Sequence, residues 1–370
     1  MLERWRRLKR ELGWHQRGWR RQLLGERAEP SEWQALAAYR GLVQQAWRQT
    51  PLRPEVVADV WSGGQFRSAA GLPAFFNPSQ REREGSSHHY GHDIQLKRHA
   101  ELPLVGRPLP FLLEHGLKVS EEAQFDPPRP WARGGYLCMG PLRAQWLRER
   151  YGCEAQAIGP WILYAKPLLE AAELAQRRQQ LGKTLLVVLA HSWDRVQRRS
   201  DDQACIAAVE ALSQRQGYLS VIWLRHWQDP PALPLPSAWI VACNGHRSNP
   251  WFLDSLRTLL DLCDGLASNA FGTHLGYAVA LDRSIHWLHQ QAQQDLSALT
   301  TEQAAREAAE WRERERLSMA LEQVLQPTGS APASPGQTGE ALRELMEPYW
   351  GFTHHRDPRA LRHLLSQPLA

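Results

Sequence analysis

The stretch Ser268-Asn-Ala-Phe-Gly-Thr-His274-Leu-Gly-Tyr-Ala-Val-Ala-Leu281 follows one apolar run and precedes another, Ile285-His-Trp-Leu288. This pattern predicts a strand end, a tight polar turn, a helix and a further strand. It places Ser268, Asn269, Gly272, Thr273 and His274 beside the outward-facing N–H groups of a helix start. Unpaired donors and the positive end of the helix dipole coincide there, which attracts phosphate. Gly272 permits close approach to the backbone, Thr273 suits an N-cap, and His274 adds a donor able to become cationic. Alone, the stretch fits a loop histidine beside a capped helix equally well, and the flanking pattern has to decide.

Upstream, Thr184-Leu-Leu-Val-Val-Leu189 is a continuous apolar run of the buried parallel-strand kind, ending in Ala190-His191-Ser192. A helix is expected from Asp201 or Asp202 to about Gln216, closed by Gly217. Tyr218–Leu224 and Ala238–Ala242 read as strands, with Asn244-Gly245-His246-Arg247 as the turn after the latter. Pro250–Cys263 reads as a helix, and Gly265–Ser268 and Ile285–Leu288 as the fourth and fifth strands. Such alternation means an open α/β domain with a parallel sheet, whose ligands sit beyond the strands' carboxyl ends. His191 and Ser192 (with Arg195 or Arg198 behind them), His246 and Arg247, and residues 268–274 all fall on that edge.

Residues 1–50 read as a basic, Trp-rich helical segment, with Arg4, Arg6, Arg7, Lys9 and Arg10 interleaved by Trp5, Leu8 and Leu12. Such a helix either lies on an anionic membrane surface, through residues 1–22, or packs its apolar face on the body of the protein. Residues 51–167 form a second, smaller α/β unit in this reading. Pro108–Leu113 is a strand ending at Glu114-His115-Gly116, and Tyr136–Met139 is another. A helix over Leu142–Tyr151 follows, then strands at Ala155–Ile158 and Trp161–Tyr164. Phe66–Asp93 reads as a polar loop, and solvated loop residues are the default reading of His88, His89, His92 and Asp93. Residues 168–325 are the second domain, ending in a long helix from about Gln290 to Leu325. Residues 326–339 read as a flexible loop and 340–370 as a helical tail whose Tyr349, Trp350 and Phe352 dock on the body.

At 370 residues, 43% hydrophobic and 22% charged, the chain has the composition of an ordinary globular protein. Cys138, Cys153, Cys205, Cys243 and Cys263 are odd in number and form no Cys-x-x-Cys pair, which argues against a disulfide framework and a zinc ribbon. No metal site is expected, since the histidines and cysteines lack ligand spacing. The sequence has no apolar run of membrane-spanning length, and its basic start lacks the apolar core of a signal peptide. A cytoplasmic location is expected, with peripheral attachment to the inner membrane face under the first reading of the basic helix. The net charge of +5 comes without any nucleic-acid-binding module, so no nucleic-acid partner is expected.

A strand, a small turn holding Gly, Thr and His, and then a helix is similar to the donor phosphate site of heptosyltransferase-like GT-B glycosyltransferases. More closely, Phe252-Leu-x-x-Leu-Arg-x-Leu-Leu-x-Leu-x-Asp264 followed by Ser268-Asn-x-x-Gly-Thr-His-x-Gly-Tyr277 resembles proteins encoded with capsule and O-antigen genes. Glu114-His115-Gly116 and Tyr349-Trp-Gly-Phe352 fit the same pattern. The basic start lies outside it, and Asp282-Arg283-Ser284 stands where a Gly-Lys-Pro-like turn is more usual. The resemblance implies two Rossmann-like domains facing a cleft, with the nucleotide-sugar on the second and the acceptor on the first, plus extra terminal helices. The sequence contains no Asp-x-Asp, which suits an enzyme that holds the leaving diphosphate without a metal clamp or other cofactor.

On this reading Ser268, Asn269, Gly272, Thr273 and His274 hold the donor phosphate. His191 and Ser192 are further phosphate or sugar contacts, and His246 and Arg247 lie near base or ribose. The acceptor hydroxyl needs a base from the facing domain, for which the candidates are His92 with Asp93 and, preferred, Glu114 with His115. The expected activity is glycosyl transfer from a nucleotide-sugar to a lipopolysaccharide, capsule or other surface-glycan acceptor, free or lipid-linked. The alternatives are transfer of another activated group such as a polyol phosphate, and a non-catalytic scaffold subunit of a polysaccharide assembly complex.

Overall fold

The computed structural model describes residues 85–366, apart from 105–107, 131, 193–195, 227–228, 230–234, 245–246, 248, 291 and 327–334, together with residues 5, 8, 9 and 12. The last four are helical, and Trp5, Leu8 and Leu12 are exposed.

A short 3-10 segment, Gly85–Gly91, leads into helix α1 (His92–His99). Strand β1 (Leu112–Leu113), strand β2 (Tyr136–Cys138), helix α2 (Pro141–Tyr151) and strand β3 (Ala155–Ala157) then build a parallel three-stranded sheet in the order β1-β2-β3. Helix α2 carries Pro at its first turn and stops at Gly152, whose left-handed backbone (φ 60°) is the cap the sequence predicts. A 3-10 turn at Trp161–Tyr164 and helix α3 (Ala171–Leu181) lead to the larger sheet.

That sheet contains β4 (Thr184–Val188), with strand β5 (Gln197–Arg199) and helix α4 (Asp202–Gln216) following it, then β6 (Ser220–Arg225) and β7 (Ile240–Cys243). Helix α5 (Phe252–Leu262), strand β8 (Gly265–Ser268), helix α6 (Thr273–Ala280) and strand β9 (Ser284–Trp287) complete it. Its order is β7-β6-β4-β8-β9, with every neighbouring pair parallel. This is a Rossmann-like, doubly wound sheet, in which strand order reverses between β4 and β8. Strand β10 (Gln293–Asp295) pairs antiparallel with β5, outside the main sheet. Helices α7 (Thr301–Leu325), α8 (Pro335–Trp350) and α9 (Pro358–Ser366) close the chain.

Period-two alternation along β4 sends its side chains to two cores. Leu185 and Val187 pack under α4 with Val209 and Leu212. Leu186 and Val188 join a cluster containing Leu259 of α5 and Leu275 of α6. That cluster also takes Leu113, Leu137 and Ile158 from the smaller sheet, so one apolar core unites the two sheets. The smaller sheet's other face packs Leu112, Tyr136 and Ala155 against Ala144 and Leu147 of α2. The expected domain join at 167/168 is bonded to α5: Lys166 N donates to Asp254 Oδ1 (3.1 Å) and Leu168 N to Thr258 Oγ1 (2.8 Å).

The C-terminal tail docks as the sequence predicts. Trp350 is fully buried, its Nε1 donates to Thr273 O, and a Cβ on Gly276 would lie 2.2 Å from its ring. Gly276 is therefore a packing glycine, present because Trp350 occupies the space of a side chain.

Four sequence expectations are corrected. Residues 85–93 are a 3-10 segment kinked at His89 and Tyr90 that leads into α1, rather than a solvated loop, with Ser87, His88, His92 and Asp93 buried. Trp161–Tyr164 is a 3-10 turn instead of a strand. Gly159 (φ 83°) and Pro160 break the extended chain, and the fully apolar run carries no period to tell the two apart. The long helix begins at Thr301 instead of Gln290, because Thr300 and Gln303 form a reciprocal capping box there. Of the expected loop 326–339, residues 335–339 belong to α8, and 327–334 lie outside the described residues, as do 66–84.

Candidate functional site

The carboxyl ends of β4, β6 and β8 open into a cleft of about 2110 Å³, whose opposite wall is the end of β1 and the turn before α1. Its lining brings together His92, Glu114, His115, His191, Ser192, Arg247, Asn269, Gly272, Thr273 and His274 from the expected set. Asp93 and Ser268 do not line it; both are fully buried. His246 lies outside the described residues, as does Arg195.

On the larger sheet's side, the turn after β8 is held by its own side chains. Ser268 Oγ accepts from Ala270 N (3.1 Å) and meets His274 Nε2 at 2.8 Å, so His274 folds back over the turn. Gly272 makes room for this, since a Cβ there would lie 2.8 Å from His274 Cε1. Gly272, not Thr273, is the N-cap residue of α6, and no side chain caps the helix. Thr273 is the first helical residue, and the helix start stays open to an anion. Enclosure by the turn, then the charges of His191 and Arg314, lower His274 to about 3. The cationic form expected of it is thereby disfavoured until an anion arrives.

Asn269 has a different role from the one expected. Its Oδ1 accepts from Ala190 N (2.8 Å), and its Nδ2 donates to Ser200 Oγ and Gln290 O. The amide is spent on tying the end of β4 to the segments flanking the ribbon, so it shapes the crevice at the reversal of strand order. Ser192 is similarly engaged: its Oγ bonds both N and O of Arg198. His191 stacks on His226 with ring centroids 4.4 Å apart, and the cleft walls together with Arg198 lower it to about 4.

Across the cleft, Glu114 and His115 follow β1 as expected, but they do not form a carboxylate–imidazole pair. Glu114 Oε1 accepts from Arg143 Nε at 2.8 Å, while Arg143 Nη2 donates to Gln124 O. Arg143 is 4% exposed, so it needs this carboxylate. His115 turns to His89, with Nε2 and Nδ1 3.4 Å apart. Enclosure, then the neighbouring His89, Lys118, His92 and Arg247, hold His115 well below the ordinary imidazole value. His92 stacks face to face on Trp161 at 4.3 Å, and its burial lowers it to about 3.

Two lining residues, Glu310 and Arg314, were not singled out in the sequence. Helix α7 contributes Glu310 and Arg314, which join the two walls. Arg314 donates to Phe271 O (2.5 Å) in the turn after β8 and to Leu117 O (2.7 Å) beyond His115. Glu310 accepts from Val119 N and Ser120 N. Arg198 lies over the Trp311 ring, and burial pushes its guanidinium down to about 10, so it remains a cation at neutral pH. The i,i+4 spacing of Glu310 and Arg314 does not mark them out, since many surface pairs share it, whereas Arg198 was expected behind His191 and Ser192.

Among the described residues no three His, Cys, Asp or Glu side chains converge as a metal-binding group, and no helix is long and apolar enough to cross a membrane. No protein-family model matches the chain, and no curated protein is significantly similar to it.

Proposed function

We propose that the chain is a glycosyltransferase of GT-B type, moving a sugar from a nucleotide-sugar to a surface-glycan acceptor. The observation that carries this reading is the cleft itself. An uncapped helix start at the reversal point of a doubly wound sheet faces a second wall, where His115 follows β1 and His89 and His92 flank the start of α1. The donor diphosphate rests on the amides opening α6, with Arg198 and Arg314 supplying positive charge as the nucleotide leaves. The first wall holds the acceptor and its base. Transfer proceeds without a metal clamp, in keeping with the lack of Asp-x-Asp in the sequence.

Partner and location belong to the same proposal. Trp5, Leu8 and Leu12 are exposed on helical residues, amid Arg4, Arg6, Arg7 and Arg10 in the sequence. Such residues support attachment to an anionic membrane surface from the cytoplasmic side, where a lipid-linked acceptor would reside.

A thermal-shift screen against UDP-, GDP-, ADP-, dTDP- and CMP-sugars, without and with Mg²⁺, tests the donor site. One nucleotide class should stabilise the fold by roughly 2.7 kcal/mol at a hundredfold excess over Kd. The shift should be independent of metal and lost in His274→Ala. No shift with any donor would remove the reading.

A further inference from the structure

The acceptor wall contains an imidazole pair that the sequence did not announce. His89 belongs to the 3-10 segment and His115 to the turn after β1, 26 residues apart in the chain. Their rings meet edge to face, with centroids 4.5 Å apart, and both line the cleft.

The backbone is built to hold this contact. Tyr90, directly after His89, sits at φ 58° and ψ 11°, a left-handed conformation rare for a bulky residue. Gly91 continues it at φ 76°, where an added Cβ would lie 2.1 Å from Pro250 O. Tyr90 N donates to Arg247 O (2.6 Å), and Leu113 N donates to Ser87 Oγ (3.2 Å). The two histidine turns are thus tied to each other and to the loop before α5. Such outliers persist where surrounding structure over-determines them, and they cluster at functional sites.

We propose that His115 is the base of the transfer and His89 the positioning residue that fixes its tautomer. The assignment rests on the glycosyltransferase reading for its substrate, and on the His89–His115 contact for its geometry. At 3.4 Å, one ring must offer an N–H and the other a lone pair, and the proposed donor is His115. With His115 Nε2–H donating to His89 Nδ1, the lone pair of His115 lies on Nδ1, the ring nitrogen left for an acceptor hydroxyl. In the step, the acceptor oxygen forms a bond to the sugar's anomeric carbon while that carbon's bond to the diphosphate oxygen breaks. The diphosphate leaves with the electron pair, and the hydroxyl proton passes to His115 Nδ1. His89 then shares the charge of the resulting imidazolium.

The charges around His115 suit a base that stays neutral. It is faced by His89 and Tyr90 from the 3-10 segment, His92 from α1, and Arg247 from the loop after β7. Its own segment supplies Lys118 and Glu114, and Glu114 is claimed by Arg143 of α2. Among the described residues no carboxylate is placed to stabilise a resting imidazolium, so the ring rests neutral with a lone pair available.

Two measurements test the pair. In the intact protein labelled with ¹⁵N-histidine, NMR should show His115 as the Nε2–H tautomer, and His89→Phe should remove that preference. The second measurement uses the nucleotide-sugar selected by the thermal-shift screen, with water as acceptor, so that no glycan need be known. His89→Phe should slow its hydrolysis by about 10²-fold, the lower end of what a general base supplies, with donor affinity unchanged. His89→Asn, whose Oδ1 replaces Nδ1 as acceptor, should recover most of that loss. His89→Asp should move the acid limb of the pH profile upward, because a carboxylate raises the basicity of His115. Hydrolysis at the wild-type rate in His89→Phe, or an Nδ1–H tautomer in the wild type, would overturn the proposal while leaving the donor site standing. Failure of every nucleotide to bind would remove the glycosyltransferase reading instead, and the NMR tautomer would then decide the pair alone.

Discussion

The two walls of the cleft are built by different means. The wall proposed to bind the donor is local: Ser268, Gly272 and His274 shape one another within seven residues, and Trp350 braces the helix they open. The wall proposed to hold the acceptor is assembled from afar. His89, His115 and Arg143 come from three segments, and α1 is held to α5 by Arg98, which grips both oxygens of buried Asp254 at 2.7 Å. A short motif can therefore announce the first wall, while the second exists only once the chain has folded.

Removing one brace from each wall gives the largest effects. Asp254→Ala strands the Arg98 charge and releases Lys166 N, which should destabilise the fold by about 3–5 kcal/mol. Trp350→Ala leaves a cavity beside Gly276 and should also cost about 3–5 kcal/mol. Denaturant melts measure both, and amide hydrogen exchange separates them: the first variant should loosen α1, the second α6. Loosening of the same elements in both would show that the walls are not independent.

The structure's legibility follows the same division. Strand β4 was readable because an unbroken apolar run ending in two valines suits a sheet covered on both faces, and Leu185 to Val188 supply both cores. Helix α4 was readable because Asp201 caps it, accepting from Ala204 N, and Gly217 stops it at φ 69°. At the turn after β8 the backbone was anticipated but not the duties of its side chains, since Asn269 and Ser192 are spent on internal hydrogen bonds. Residues 85–93 were misread because their polar composition suggests a loop. A non-glycine left-handed residue, Tyr90, gives no compositional sign. The Arg143–Glu114 and Arg314 contacts join positions 29 or more residues apart, which spacing rules do not reach.

Smaller effects sharpen the contrast. Gly91→Ala meets both a left-handed backbone and Pro250 O, and should cost at least about 1–3 kcal/mol; Gly272→Ala meets only the His274 ring and should cost less. Comparing their melting midpoints tests whether the acceptor wall is the more strained of the two.

Acidity should also report the second wall, which carries His92. The unfolded chain protonates His92 below about 6.5, whereas the folded state holds it neutral down to about 3. Its contribution is therefore fully present above pH 6.5 and shrinks as pH falls toward 3. Stability measured across that window should fall less steeply in His92→Phe. An unchanged slope would show that the Trp161 stack does not exclude the proton. Ser268→Ala, which removes one partner of His274, should cost only about 0.5–1.5 kcal/mol in a thermal melt.

The central claim is that one cleft separates donor binding from proton removal. Titration calorimetry of the selected nucleotide-sugar into the wild type, His274→Ala and His115→Ala tests it most directly. The account predicts equal affinity in the wild type and His115→Ala, with binding lost in His274→Ala. Equal affinity in all three, or equal loss in both variants, would contradict it.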